Sequence, residues 1–170
     1  MVISDKEKRN TAYHEAGHAL VGKMLKHTDP IHKVTIIPRG RALGLTQQLP
    51  IEDRLSMSAD AANAHIAVMM GGRLAEEIIF GQLTTGASND IQQATDMARR
   101  MVCEWGMSEK LGPLHFGKRE AEVFLGRDFN DGGKEYSEQT AIEIDAEDRP
   151  TITENYTRAK QVVVDNLDKL

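Results

Sequence analysis

The sequence predicts a mostly α-helical domain with one small β-sheet or hairpin element. Three observations carry that expectation. Apolar residues recur at helical spacing in several stretches, each opened by a serine or aspartate suited to capping. Only one stretch, from Lys33 to Leu49, is short and β-branched in the manner of paired strands. The length of 170 residues, with 40% hydrophobic and 28% charged residues, suits one globular domain and is too apolar for a disordered chain.

Ser4 followed by Glu7 makes a Ser-x-x-Glu capping box, so the first helix begins there and spans about residues 4–27. The Thr28-Asp29-Pro30 cluster ends it, because proline disfavours helix in the residue before it. Lys33 to Pro38 and Gly44 to Leu49 read as two strands, joined by a hairpin or sharp turn over Arg39 to Leu43; together they form a β segment at about 33–49. A second helix covers about 58–80, is rich in alanine and carries Gly71-Gly72, a mark of close backbone packing or of a local break. The Gly86 to Asn89 loop supplies cap residues for a third helix over about 89–105. Residues 106–137 read as irregular, and the acidic, glycine-rich run from Asp128 to Glu138 as a mobile surface loop. A helical region follows over 138–170, with a break expected near Arg149 because Pro150 interrupts the bonding ladder and makes Thr151 the start of a separate turn.

Composition excludes several classes of function. Twenty-one Lys and Arg against 26 Asp and Glu give a formal charge of -5, which argues against a general nucleic-acid or membrane-surface binder. The one cysteine, Cys103, excludes an internal disulfide and a cysteine-based zinc cluster. No stretch is both apolar and long enough to span a bilayer, and the charged Met1 to Arg9 segment does not read as a signal peptide. The sequence thus reads as a soluble domain.

The chemistry concentrates in His14-Glu15-Ala16-Gly17-His18, a His-Glu-x-x-His pattern. Residues four apart share one helix face, so both imidazoles can reach one metal ion. Glu15, one step round the helix, can hold a zinc-bound water and take its proton. Two features favour a metal over a buried helix with ordinary histidine partners. Gly17 costs a helix about 1 kcal/mol relative to alanine, so something requires the room. The helix is also apolar over much of its circumference, so two buried histidines and a glutamate need partners. A third ligand must come from elsewhere. His27 and His32 read as surface residues, and His65 and His115 as structural ones. Glu76, Glu77, Asp90, Asp96 and Glu104 are the carboxylate candidates, and spacing does not choose among them. The Met69-Met70 and Met97-Met101 positions read as core packing, and Cys103 as a small buried hydrophobe.

Longer motifs surround this pattern. Tyr13 to Val21 (YHEAGHALV), Ala42 to Pro50 (ALGLTQQLP), Gly71 to Gly81 (GGRLAEEIIFG), Thr84 to Ile91 (TTGASNDI) and Trp105 to Leu114 (WGMSEKLGPL) occur in one order. Together they resemble the peptidase domain of the FtsH family, membrane-anchored, ATP-dependent zinc metalloproteases, over nearly the whole chain. The resemblance implies a zincin-like metallopeptidase domain over residues 1–170. It implies Zn2+ bound by His14, His18 and Asp90, with Glu15 activating the zinc-bound water for attack on the scissile carbonyl. Asp90 at a helix start suits that role, because backbone amides and the helix dipole favour its charge. Glu76 stands as the alternative ligand, or as a structural carboxylate paired with Arg73 or Arg99. The resemblance also implies that Leu45, Thr46, Gln47, Gln48 and Leu49 form an edge strand beside the cleft, to which a substrate adds as a further strand.

Members of that family carry a transmembrane anchor and an AAA ATPase module, and no Gly-x-x-x-x-Gly-Lys-[Ser/Thr] phosphate loop occurs in this sequence. The chain therefore reads as an excised C-terminal piece. Its parent is expected to be a homo-hexamer anchored in a bacterial inner membrane or an organelle membrane, with this domain on the cytoplasmic, matrix or stromal side. Its substrates are expected to be unfolded, damaged or membrane proteins delivered by the ATPase module. Two other classes fit the pattern less well: an assembly module with a structural zinc, which would not need Glu15, and a hydrolase of small molecules, which would need a closed polar pocket.

Overall fold

The computed structural model describes residues 3–38, 43–50, 55–117 and 136–170. Most of the expected turn (residues 39–42) and of the acidic, glycine-rich run (residues 128–135) lies outside them. The described elements are, in order, α1 (Asp5–Met24), β1 (Ile31–Thr35), β2 (Leu45–Gln48), α2 (Ala59–Phe80), α3 (Ser88–Cys103) and α4 (Glu138–Asp165). Single 3-10 turns at Thr85–Ala87 and Leu167–Lys169 precede α3 and follow α4.

The capping box forms at the start of α1: the Glu7 amide donates to Ser4 Oγ at 3.2 Å and the Ser4 amide to Glu7 Oε2 at 3.3 Å. The helix ends at Met24, earlier than expected, with Leu25 extended and His27 at φ 65°. Pro30 does not end it. The Thr28 hydroxyl reaches the carbonyl oxygens of Gly22 at 2.6 Å and Leu25 at 3.1 Å, satisfying groups that a further turn would have used.

β1 and β2 form a two-stranded antiparallel sheet with Val34 opposite Thr46 and Thr35 opposite Leu45. The first strand lies earlier than the expected 33–38. The Leu49 amide donates to the Pro30 carbonyl at 3.1 Å and Gln48 Nε2 to the Asp29 carbonyl at 2.7 Å, which draws residues 29–31 into the pairing. A register shift between Ile31 and Lys33 marks a bulge at His32. The even residues of β2 face α1. A Cβ on Gly44 would meet Glu15 and Thr11, Thr46 bonds Glu15, and Gln48 lies over Gly22.

α2 runs through the middle of the molecule and packs on α1, α3 and α4. It starts on the Ser58 hydroxyl and stops at Gly81, whose φ of 63° suits a residue without a side chain. Gly71-Gly72 does not break it. At Gly71 two backbones touch instead: a Cβ added to Gly17 would stand 2.2 Å from the Gly71 carbonyl oxygen, and one added to Gly71 2.5 Å from that of Gly17. That close approach explains why glycine is used inside both helices despite its helix cost.

The largest fully buried side chains are Ile66, Leu74, Ile144, Val21 and Val163, from α1, α2 and α4. Each contributes about 1.5–3 kcal/mol by leaving water. Met70 and Met101 are buried in the same core, and Met69 and Met97 pack against it. Cys103 is buried beside Val102 and Ile144, and burial pushes its thiol pKa up, so it packs as an apolar group.

The expected break at Pro150 does not occur: α4 is continuous through it. Proline removes the amide that would have donated to the Ala146 carbonyl, and the ladder continues on either side of that one missing bond. Thr151 Oγ1 donates to the Glu147 carbonyl at 3.0 Å, and Thr153 Oγ1 lies 3.0 Å from that of Arg149. Buried Asn155 then ties the next turn to α2 through Asn63 Oδ1 at 2.7 Å. Packing on both sides of the proline outweighs its local cost, and its ring faces solvent. No described helix is long and apolar enough to cross a membrane.

Candidate metal centre

The centre is assembled where α1 and α2 cross antiparallel and the first turn of α3 closes over them. His14 and His18 stand one turn apart on α1 with ring centroids 4.7 Å apart. Each uses Nδ1 to reach α2. His18 Nδ1 donates to the Val68 carbonyl at 2.8 Å, and His14 Nδ1 pairs with Glu76 Oε1 at 2.6 Å. Because Val68 offers only an acceptor, the Nδ1 of His18 carries the hydrogen and its Nε2 carries the lone pair.

Both Nε2 atoms therefore turn inward. They lie 3.0 Å apart, and Asp90 Oδ2 lies 3.1 Å from that of His14 and 3.5 Å from that of His18. Around a tetrahedral Zn2+ with bonds of about 2.0–2.1 Å, neighbouring donors stand about 3.3–3.4 Å apart. The three separations of 3.0–3.5 Å bracket that edge length, so the donors are spaced as a tetrahedral site would need. Two lone pairs facing one another beside a carboxylate require a cation or proton between them, so the donor set fits the ion. Gly72 leaves the room. A Cβ there would fall 2.5 Å from His14 Nε2 and 2.6 Å from His18 Nε2. Among the described residues, His14, His18 and Asp90 form the single group of three or more donors converging this closely.

The electrostatics point the same way. Burial acts to lower the His14 pKa, but hydrogen bonds and charge from Asp90 and Glu76 outweigh it and the net shift is upward. Burial acts to raise that of Asp90, yet its contacts with His14 and His18 hold the carboxyl at about 2. The centre thus favours positive charge.

Glu15 is buried beside these groups, and its carboxylate is held by β2: Thr46 Oγ1 donates to Glu15 Oε2 at 2.6 Å. Glu76 is not among the converging donors and does not pair with Arg73 or Arg99. Its second oxygen accepts from Thr84 Oγ1 at 2.7 Å, so both oxygens are engaged, while Arg99 binds Asp145 and Asp148. Of the other carboxylates, Glu77 bonds Tyr156 and Lys160, and Glu104 pairs with Arg100. His27, His32 and His115 are exposed, and half-buried His65 has its pKa lowered by burial, away from the centre. Val68 and Thr84 carry no local pattern that singles them out, whereas Gly72 was marked for close packing and Thr46 for the edge strand, without their contacts to the histidines and Glu15. A buried carboxylate on an alanine-rich helix was the available signal for Glu76.

A helical domain with a His-Glu-x-x-His helix, an aspartate as the third converging donor and room for a cation has the architecture of a zinc-metallopeptidase domain. The chain belongs to Peptidase family M41, whose family model matches residues 1–170. It is 63% identical over 171 residues to "ATP-dependent zinc metalloprotease FtsH 4" of Sorangium cellulosum (strain So ce56), covering 100% of this chain and 26% of the relative. It is 58% identical over 169 residues to "ATP-dependent zinc metalloprotease FtsH" of Magnetococcus marinus, covering 99% and 25%. A protein of the same name from Myxococcus xanthus is 55% identical over 170 residues, covering 100% and 26%. The chain spans about a quarter of the length of these curated relatives.

Proposed function

We propose that His14, His18 and Asp90 hold Zn2+ and that Glu15 is the general base of peptide-bond hydrolysis. The observation that carries this reading is the approach of two imidazole Nε2 atoms and Asp90 Oδ2 to within 3.0–3.5 Å, next to a buried glutamate. Zn2+ held by these residues supplies Lewis acidity, polarising a carbonyl oxygen and acidifying water. Glu15 takes the proton of the attacking water and later delivers it to the leaving amine. Glu76 keeps the Nδ1 hydrogen of His14 pointed away from the metal, a carboxylate–histidine arrangement that fixes the ring and raises its basicity.

The substrate is an extended peptide that adds to β2 over Leu45, Thr46, Gln47, Gln48 and Leu49. β2 pairs with β1 along one edge, and its other edge has no strand partner among the described residues. Main-chain pairing there demands little of substrate sequence, which suits unfolded, damaged or membrane proteins. The names of the relatives support an AAA ATPase module in the same parent chain as the source of such substrates. A homo-hexameric, membrane-anchored parent completes the proposal.

Two measurements on the purified protein test the reading. Zinc analysis is expected to give about one ion per chain, and Glu15→Gln to keep that zinc while abolishing hydrolysis of an unstructured peptide. Zinc-free protein that cannot be loaded would remove the centre, and unchanged hydrolysis by Glu15→Gln would remove the base.

A further inference from the structure

We infer that Thr46 is a positioning residue for Glu15, so that strand β2 sets the orientation of the carboxylate that moves the proton. The inference rests on Glu15 acting as the base. A glutamate side chain has several rotatable bonds, and burial alone does not choose among its rotamers. Thr46 makes the choice. Its hydroxyl lies 2.6 Å from Glu15 Oε2 and 3.0 Å from the Glu15 carbonyl oxygen; the one hydrogen goes to the nearer, charged acceptor and the carbonyl is a secondary contact. The shorter contact to the carboxylate is of charge-assisted length. Threonine is stiff at χ1, and the strand that carries it is fixed by pairing with Val34.

Gly44 closes the other side of the grip. A Cβ there would lie 2.7 Å from both Cγ and Oε1 of Glu15, so the strand backbone itself bounds the carboxylate. The result is asymmetric. Oε2 is committed to Thr46, while no hydrogen bond reaches Oε1 among the described residues. One oxygen is anchored and the other is free to exchange a proton. Positions 44 and 46 can both do this because alternate residues of a strand share a face, and here that face is turned to α1. Because the strand offered to the substrate also holds the base carboxylate of α1, the two are coupled: a displaced β2 is a displaced Glu15 carboxylate.

The test compares Thr46→Val, which keeps the branched shape and loses the hydroxyl, with Thr46→Ser, which keeps the hydroxyl. Both are made in the intact zinc-loaded protein and assayed on an unstructured fluorogenic peptide. Thr46→Val is expected to lose about tenfold or more in kcat, with KM within about twofold and zinc content and melting temperature unchanged. Thr46→Ser is expected to recover to within about threefold of the parent. An unchanged kcat in Thr46→Val, or a Thr46→Ser variant equally slow, would overturn the proposal. A raised KM at constant kcat would also overturn it, assigning Thr46 to peptide binding alone. Loss of zinc or of melting temperature along with rate would assign it a structural part and likewise overturn it. A fully active Glu15→Gln would instead remove the reading beneath the proposal, whereas an inactive Glu15→Gln beside a normal Thr46→Val removes the proposal alone.

Discussion

Gly17 and Gly71 meet backbone to backbone, with only 2.2 Å between the Gly71 carbonyl oxygen and the place a Gly17 Cβ would take. Intrinsic preference favours Gly17→Ala by about 1 kcal/mol, but here the added methyl would push two helix backbones apart. Gly17→Ala is therefore expected to destabilise the fold by about 1–3 kcal/mol in urea denaturation. An unchanged midpoint would mean that α1 and α2 separate freely.

Gly72→Ala separates stability from metal binding. Its methyl would meet the imidazole tips of His14 and His18 at 2.5–2.6 Å, and no backbone stands among its nearest contacts. The rings are expected to turn aside, giving zinc content well below one ion per chain while the metal-free protein melts near the parent temperature. Full zinc occupancy would refute this account of the glycine.

Asp90 and Glu76 are expected to differ in kind. Asp90→Asn removes a charged donor from the converging set and is expected to weaken zinc retention against a competing chelator sharply. Glu76→Gln leaves an oxygen able to accept from His14 Nδ1, and is expected to cost no more than about 10–100-fold. The reverse order would move the third ligand to α2.

Pro150→Ala returns an amide donor to the middle of α4 at a position already helical and exposed. It is expected to stabilise the protein by about 1–3 kcal/mol in chemical denaturation. A loss of stability would mean that the proline ring itself is part of the packing.

Tyr156 ties α4 to α2 through Glu77, and this hydrogen bond, with help from Lys160, holds the Glu77 carboxyl below its ordinary 4.5. A depressed carboxyl contributes stability above its unfolded value and loses it as the pH falls through the folded one. Tyr156→Phe is expected to cost about 0.5–1.5 kcal/mol at neutral pH. The gap between the two proteins is expected to narrow steadily as the pH drops below 4.5. A gap independent of pH would show that packing, and not the bond to Glu77, carries the effect.

What could be read in the sequence was local. The Ser4–Glu7 box and the four-residue spacing of His14 and His18 each depend on neighbours within one or two helical turns, and the structure forms both. Asp90 lies 76 residues from His14 and came from motif resemblance, since no spacing rule spans such a distance. The partners of Glu76 were misjudged because opposite charge was the guide: Arg73 and Arg99 were considered, whereas the groups that reach it are His14, 62 residues away, and the uncharged Thr84. Pro150 was misjudged because proline was weighed by its intrinsic cost, without the packing of the turns on either side, and the end of α1 because the Thr28 hydroxyl that reaches the carbonyls of Gly22 and Leu25 was not weighed.

Val68, Gly72 and Glu76 recur every fourth residue along α2, so one helical row accepts from His18, clears space for both rings and accepts from His14. The histidines obey the same interval on α1. The two helices therefore engage like a rack and its matching teeth, and a slip by one turn, about 5.4 Å, would bring none of these functions opposite its counterpart. The convergence of donors is thereby conditional on completed folding: a nascent or half-melted chain carries His14, His18 and Asp90 in its sequence and has no place where they meet.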